Sequence, residues 1–165
     1  GTGGIGHLQT ELWKSLAGVF VTHIPYRGAG PALNDTVAGQ VQIIFDNLPS
    51  ALPFIKSGKL VPLVVAAPER LAELPNVPTF KEVGLPAVNR LAYYGILAPK
   101  GTPKDIVDKL NAATRKVLEE PAVKKRIADT GSIMVANTPE QFAQQIKDEF
   151  AVYKEVVAKQ KLTLD

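Results

Sequence analysis

The sequence contains no cysteine in 165 residues. That absence excludes disulfides, thiol catalysis and thiolate metal sites together, and it suits an oxidising compartment. Histidine is almost as scarce. The two present, His7 and His23, are too few for an ordinary histidine-based metal centre, so neither a metal nor a cofactor is expected. No run of about 18 apolar residues occurs, so no membrane-spanning helix is expected. The G-K-[ST] of a Walker loop is missing. Ser50 has no histidine–acid neighbourhood, which argues against a serine hydrolase. The charge is only +3, and the lysines scatter along stretches such as 104–125 instead of forming a stripe with aromatic partners. Nucleic acid is therefore not an expected partner. An initiator methionine, a signal peptide and a strand before the opening glycines are also missing. We expect the C-terminal half of a longer mature protein, with an excised domain as the alternative.

What is present has the composition of a globular protein, 45% hydrophobic and 21% charged. This length supports one core that buries about two-thirds of the unfolded surface. Leu8, Leu12 and Leu16 repeat every four residues before Gly18, predicting a helix over 6–17 with a buried leucine stripe. VFVTHI (19–24), QVQIIFD (40–46) and LVPLVVAA (60–67) read as strands, the last apolar enough to be covered on both faces. GPALNDTVAG (30–39) and residues 51–57 read as short helices between them, with Pro53 tolerable only in a first turn. Strands alternating with helices predict parallel βαβ units. Prolines 75, 78 and 86 break the rhythm, and the composition shift over 68–92 is the best boundary candidate. Glu69, Glu73 and Glu82 there read as solvated. Beyond it, LAYYGILAP and SIMVA read as extended. Thr102 caps a helix burying Ile106, Leu110, Ala113 and Val117, and Pro121 starts another ending at Gly131. Thr138 and Gln141 fit a capping box for the last helix, whose stripe is Phe142, Ile146, Phe150, Tyr153 and Val157.

The opening GTGGIGHL fits the dinucleotide fingerprint G-x-G-x-x-G at Gly1, Gly3 and Gly6. A ribose-binding acid is nevertheless absent about twenty positions on, since the next strand runs into Pro25 and Tyr26 and no acid precedes Asp35. The glycines suit a simpler anion. Three strand-to-helix junctions are expected at one sheet edge: Gly1-Thr2-Gly3-Gly4, Tyr26-Arg27-Gly28-Ala29-Gly30 and Asp46-Asn47-Leu48-Pro49. Each helix start offers unpaired N–H groups and roughly half a positive charge. One terminus favours an anion by about 0.3–2 kcal/mol, whereas micromolar binding needs about 8 kcal/mol. The ligand must therefore be enclosed from a second side, as a closing two-lobed cleft would do. Several residues keep two readings. His7 packs or touches ligand, Asp46 caps a helix or reads a ligand, and Arg27 is a surface charge or an anion contact. His23 reads as a satisfied strand residue, and one of Tyr93 and Tyr94 packs while the other lines the cleft.

HIPYRGAGPALNDTVAGQVQIIFDNLPSALPFIKSGKL, LPNVPTFKEVGLP and YYGILAPKGTP, with the glycine loop ahead of Thr10-Glu11-Leu12-Trp13, resemble the tripartite tricarboxylate transporter receptor (Bug-type) family across essentially the whole chain. The resemblance implies an α/β, two-lobed periplasmic binding protein of the second type, with parallel or mixed sheets flanked by helices. It also implies a non-enzymatic, periplasmic receptor that closes like a flytrap on a small carboxylate. Its partners would be membrane transporter subunits or a sensor. The family loops it implies fall on Gly1, Thr2, Gly3 and Gly4, on Pro25, Tyr26, Arg27 and Gly28, and on Phe45, Asp46 and Asn47. With His7, a candidate from its place in the first helical turn, the expected ligand-binding residues are Gly1, Thr2, Gly3, Gly4, His7, Tyr26, Arg27, Gly28, Asp46 and Asn47. Many relatives carry a hydroxyl residue where Gly4 stands, so only a backbone contact is expected there. An N-terminal half with another glycine loop would be missing. Residues 1–92 would form most of the second lobe and residues 93–165 would return toward the first, the chain borrowing a surface by self-association or staying complexed with its absent half. The alternatives are a doubly wound enzyme acting on a phosphorylated or nucleotide substrate, and a signalling receptor module.

Overall fold

A computed structural model describes residues 1–163. Residues 164 and 165 of the expected return segment lie outside the described residues. The chain divides into two compact units, one of Gly1–Ala92 together with the residues from 153 on, the other Tyr93–Val152.

In the first unit, helix α1 spans Ile5–Ala17, α2 Ala29–Val37 and α3 Leu48–Lys56. Gly18 ends α1 in the left-handed conformation, φ 66°, where a Cβ would strain the backbone. The buried face of α1 differs from the expected leucine stripe. Gln9 and Glu11 are buried while Leu16 is exposed. The cause is a polar seam: Gln9 Nε2 donates to the carbonyls of Val88 (3.0 Å) and Arg90 (2.9 Å), fastening α1 to the short 3-10 turn Pro86–Val88. Helix α3 starts three residues before the expected 51, with Pro49 in its first turn, which leaves Pro53 inside the helix. A ring there removes one i→i−4 bond. α2 and α3 are in contact, and each buries one leucine, Leu33 and Leu52.

The proline-rich stretch supplies core. Leu74, Val77, Thr79 and Phe80 are buried, and Val88 is wholly so. Glu82 is exposed as expected, yet it is not without partners. Its carboxylate accepts the Thr79 N–H (2.7 Å) and Arg70 Nε (2.9 Å), and its own N–H donates to Thr79 Oγ1. Glu69 and Glu73 are exposed. Asn89 clamps Ala67 from both sides, its Nδ2 donating to the carbonyl (2.7 Å) and its Oδ1 accepting the amide (3.2 Å).

The segments expected as strands carry no ladder among the described residues. One isolated parallel bridge joins Val65 to Thr79. Pro62 removes a donor from the middle of the third segment, and Val61 and Leu63 beside it are exposed instead of covered.

In the second unit, α4 spans Lys104–Glu119 and α5 Pro121–Asp129, and the two are in contact; α6, Pro139–Gln160, starts in this unit, and its residues from Tyr153 belong to the first. Thr102 does not cap α4. Its hydroxyl donates to the Pro99 carbonyl (2.8 Å), and Pro103 holds the cap position. The stripe expected to be buried on α4 is exposed at Ile106, Leu110 and Val117. The Thr138–Gln141 capping box forms as expected, with reciprocal bonds of 2.9 and 3.2 Å. Phe142 meets the edge of Tyr93, centroids 5.7 Å apart, whereas Phe150 lies exposed. No described helix is long and apolar enough to cross a membrane.

Candidate functional site

The three glycine or Asx junctions converge around the first turn of α1. A Cβ built on Gly6 would lie 2.7 Å from the Phe45 carbonyl oxygen, so the F-D-N segment runs directly against that turn. The third glycine of the fingerprint therefore permits close backbone packing, the role such a glycine also plays in dinucleotide folds. A Cβ on Gly1 would lie 3.2 Å from the Tyr26 carbonyl oxygen, which brings the P-Y-R-G segment to the same place. The His7 and His23 rings stack with centroids 3.9 Å apart and planes 10° from parallel, joining α1 to the segment that leads into Pro25.

The helix starts are open. Gly4, Gly28 and Asn47 cap α1, α2 and α3 without any side-chain hydrogen bond, leaving first-turn amides for an external acceptor. α4 and α5 also lack a side-chain cap, so that feature alone marks nothing. Convergence distinguishes the first three. Gly28, at φ 107°, turns the second loop into α2 through a conformation closed to most side chains.

The remaining candidates fall into place around them. Thr2 and Arg27 are exposed. Tyr26 is tied down, its hydroxyl donating to Asp35 Oδ2 at 2.8 Å, a bond that raises the phenol above its ordinary range. Asp35 thus anchors the second loop to its own helix, a role with no sequence signal at nine-residue spacing. Asn47 holds the start of α3, its carbonyl accepting the Ser50 and Ala51 amides (3.1 and 3.3 Å). Asp46 is half-buried, and its Oδ2 has no hydrogen-bond partner. Burial pushes its carboxyl up from the usual range, against the smaller opposing effect of the Asn47 backbone N–H. An acceptor left unmade out of water is costly, and a hydroxyl or ammonium group would relieve it. The Phe45 ring is fixed between Trp13 (5.6 Å) and Phe80 (5.9 Å), so the loop carrying Asp46 rests on a packed aromatic row. Among the described residues no group of three or more His, Cys, Asp or Glu is placed to hold a metal.

Residues 1–162 match the family described as the tripartite tricarboxylate transporter family receptor. The chain belongs to this family. Among curated members, Protein BugT of Bordetella pertussis is 36% identical over 155 residues, covering 94% of this chain and 48% of that protein. A structure described as that of a periplasmic transporter superposes with a TM-score of 0.90 at 46% identity, covering all of this chain and 55% of the other. MatC from Rhodopseudomonas palustris, solved with bound malate, gives 0.81 at 38% identity, covering 94% and 54%. The chain spans about half the length of the curated relatives it matches, and the neighbouring structures have the two-lobed solute-binding fold of periplasmic receptors.

Proposed function

We propose that this chain forms one wall of a periplasmic receptor that captures a small carboxylate and presents it to a membrane transporter without transforming it. The observation that carries the proposal is the meeting of three uncapped helix starts. The Gly6–Phe45 and Gly1–Tyr26 approaches bring the segments entering α1, α2 and α3 within one small region; in this proposal the first-turn amides there share one anion. Arg27 adds a full cation beside the glycine turn. Asp46 cannot receive the carboxylate itself, because like charges repel. It reads a hydroxyl or ammonium group on the ligand, whose donor satisfies the orphaned Oδ2. The malate in MatC carries both a carboxylate and a hydroxyl, the pair of groups this arrangement suits.

In the same proposal, the extended segments 19–24, 40–46 and 60–67 belong to the parallel or mixed sheet of the two-lobed fold. Residues 1–92 supply most of one lobe and residues from 93 return toward the other. Enclosure by the second lobe provides the affinity that three helix ends cannot, about 2 kcal/mol each at most against about 8 kcal/mol for micromolar binding. Calorimetry on the protein with both lobes present, against malate, other small dicarboxylates and neutral sugars, tests it. Saturable heat with acids alone is expected, and tight binding of a sugar with none of an acid would overturn it.

A further inference from the structure

We infer that His7 and His23 are a positioning pair for this site, the neutral His7 ring tying the glycine turn to α1 and to the segment entering the second loop. The inference rests on the carboxylate-site proposal above and goes beyond it by removing His7 from direct ligand contact. Three geometric facts carry it. The Gly3 N–H donates to His7 Nδ1 at 3.0 Å, so Nδ1 is an acceptor and the neutral ring carries its proton on Nε2. The His7 side chain is only 6% exposed. Its face is covered by His23 at 3.9 Å, two residues before Pro25. One imidazole therefore holds Gly3, at φ 75° in the turn, and the neighbouring segment in fixed relation.

The charges around the pair favour this neutral form. Burial is the largest influence on both rings and lowers both, and for His23 the neighbouring His7 adds to it. Lys14 pushes the same way, while Glu11 opposes it. The Glu11 carboxylate, 3.9 Å from His7 Nε2, is already bound by Lys14 Nζ at 2.8 Å. Protonating His7 would place a second donor against the Gly3 N–H and set a cation against the His23 ring. The turn would come loose. Acidification should therefore weaken carboxylate binding, although it adds positive charge. A histidine that touched the ligand directly would bind it more tightly when charged.

The test uses His7→Asn, whose Oδ1 stands where Nδ1 stands but does not titrate, and His7→Phe, which keeps a flat ring without an acceptor. Without ligand, nitrogen-15 NMR from pH 7.5 to 5 should show His7 protonated on Nε2 alone at the upper end. Gly3 amide exchange, taken relative to the intrinsic rate at each pH, should quicken about tenfold as His7 protonates below pH 6.5, the effect of losing one ordered hydrogen bond. His7→Phe should show that fast exchange at every pH, and His7→Asn slow exchange throughout. With malate as probe, wild-type affinity should fall about five- to tenfold relative to His7→Asn over the same range, the comparison cancelling malate's own protonation. A proton on His7 Nδ1 at neutral pH, or Gly3 exchange indifferent to His7 protonation, overturns the pair, and both are read on the wild type even if His7→Phe does not fold. Malate affinity that rises relative to His7→Asn on acidification assigns His7 to direct contact instead. Failure of every carboxylate to bind, with the NMR as expected, sinks the carboxylate proposal and leaves the tie between His7 and Gly3 standing.

Discussion

Replacing Gly6 with alanine tests the contact on which the convergence of loops depends. The new Cβ would sit 2.7 Å from the Phe45 carbonyl oxygen, 3.7 Å from its carbonyl carbon and 3.9 Å from its Cβ. The first distance is well inside ordinary contact, and the atom met is backbone. Two effects oppose each other. Alanine in a helix gains up to about 1 kcal/mol over glycine, and less in a first turn. Overpacking costs about 1–3 kcal/mol. The clash should win, because Phe45 cannot retreat easily with its ring between Trp13 and Phe80. A net loss of about 1–2 kcal/mol is expected, read in urea unfolding or as a fall in Tm of roughly 2–8 °C at this size. Malate affinity should fall more than stability implies, since the displaced segment carries Asp46. Gly4→Ser provides the contrast. Gly4 has φ −73°, and its nearest contact would be Gly1 O at 3.8 Å, so serine fits and caps α1, for a change between zero and a gain of about 0.5 kcal/mol. A Gly6→Ala protein as stable as wild type would refute the close approach of α1 and the F-D-N segment.

Other consequences can be measured on the same protein. Asp46→Asn should raise stability at neutral pH by about 1 kcal/mol at most, the low end for a part-buried orphan acceptor, while shifting preference away from hydroxyl- or ammonium-bearing acids; unchanged preference in competition calorimetry would return Asp46 to a purely structural place. Its folded pKa lies above the unfolded one, so the wild-type disadvantage should grow as pH rises through that raised value and vanish below the unfolded value. Gln9→Leu strands the Val88 and Arg90 carbonyls and should cost about 2 kcal/mol in denaturant unfolding, against almost nothing if the seam were ornamental. The two histidines act on stability in the opposite sense to Asp46. Their folded pKa values lie below 6.5, so the unfolded chain binds more protons just under that value and stability should decline as pH falls through it. A flat unfolding free energy from pH 7 to 5 in a variant lacking both, beside a sloping wild type, would assign the slope to them.

Local chemistry was legible in the sequence where it was written in adjacent residues. Gly18 closes α1, Thr138 and Gln141 form their box, and the glycine, P-Y-R-G and F-D-N segments stand at helix starts as their composition asks. What escaped was decided by partners far along the chain. The buried face of α1 is polar because Gln9 finds two carbonyls some eighty residues away, which no helical period reveals. The proline-rich stretch has no regular rhythm, yet its side chains enter the core around Phe80. His7 and His23 look unrelated at sixteen residues' separation, and only the return of the chain past α1 stacks them. Glu82 is solvated as its setting suggests, but its bonds to Thr79 and Arg70 have no sequence signal because a turn rather than a helix sets them.

The most direct test of the central claim is an amide-resolved NMR titration of the protein, with both lobes present, against malate. A cradle of converging helix starts predicts that amides in residues 2–6, 27–29 and 47–50 shift together along one saturable curve, while a neutral sugar leaves them still. Shifts confined to one of these loops, or gathered elsewhere in the chain, would contradict it.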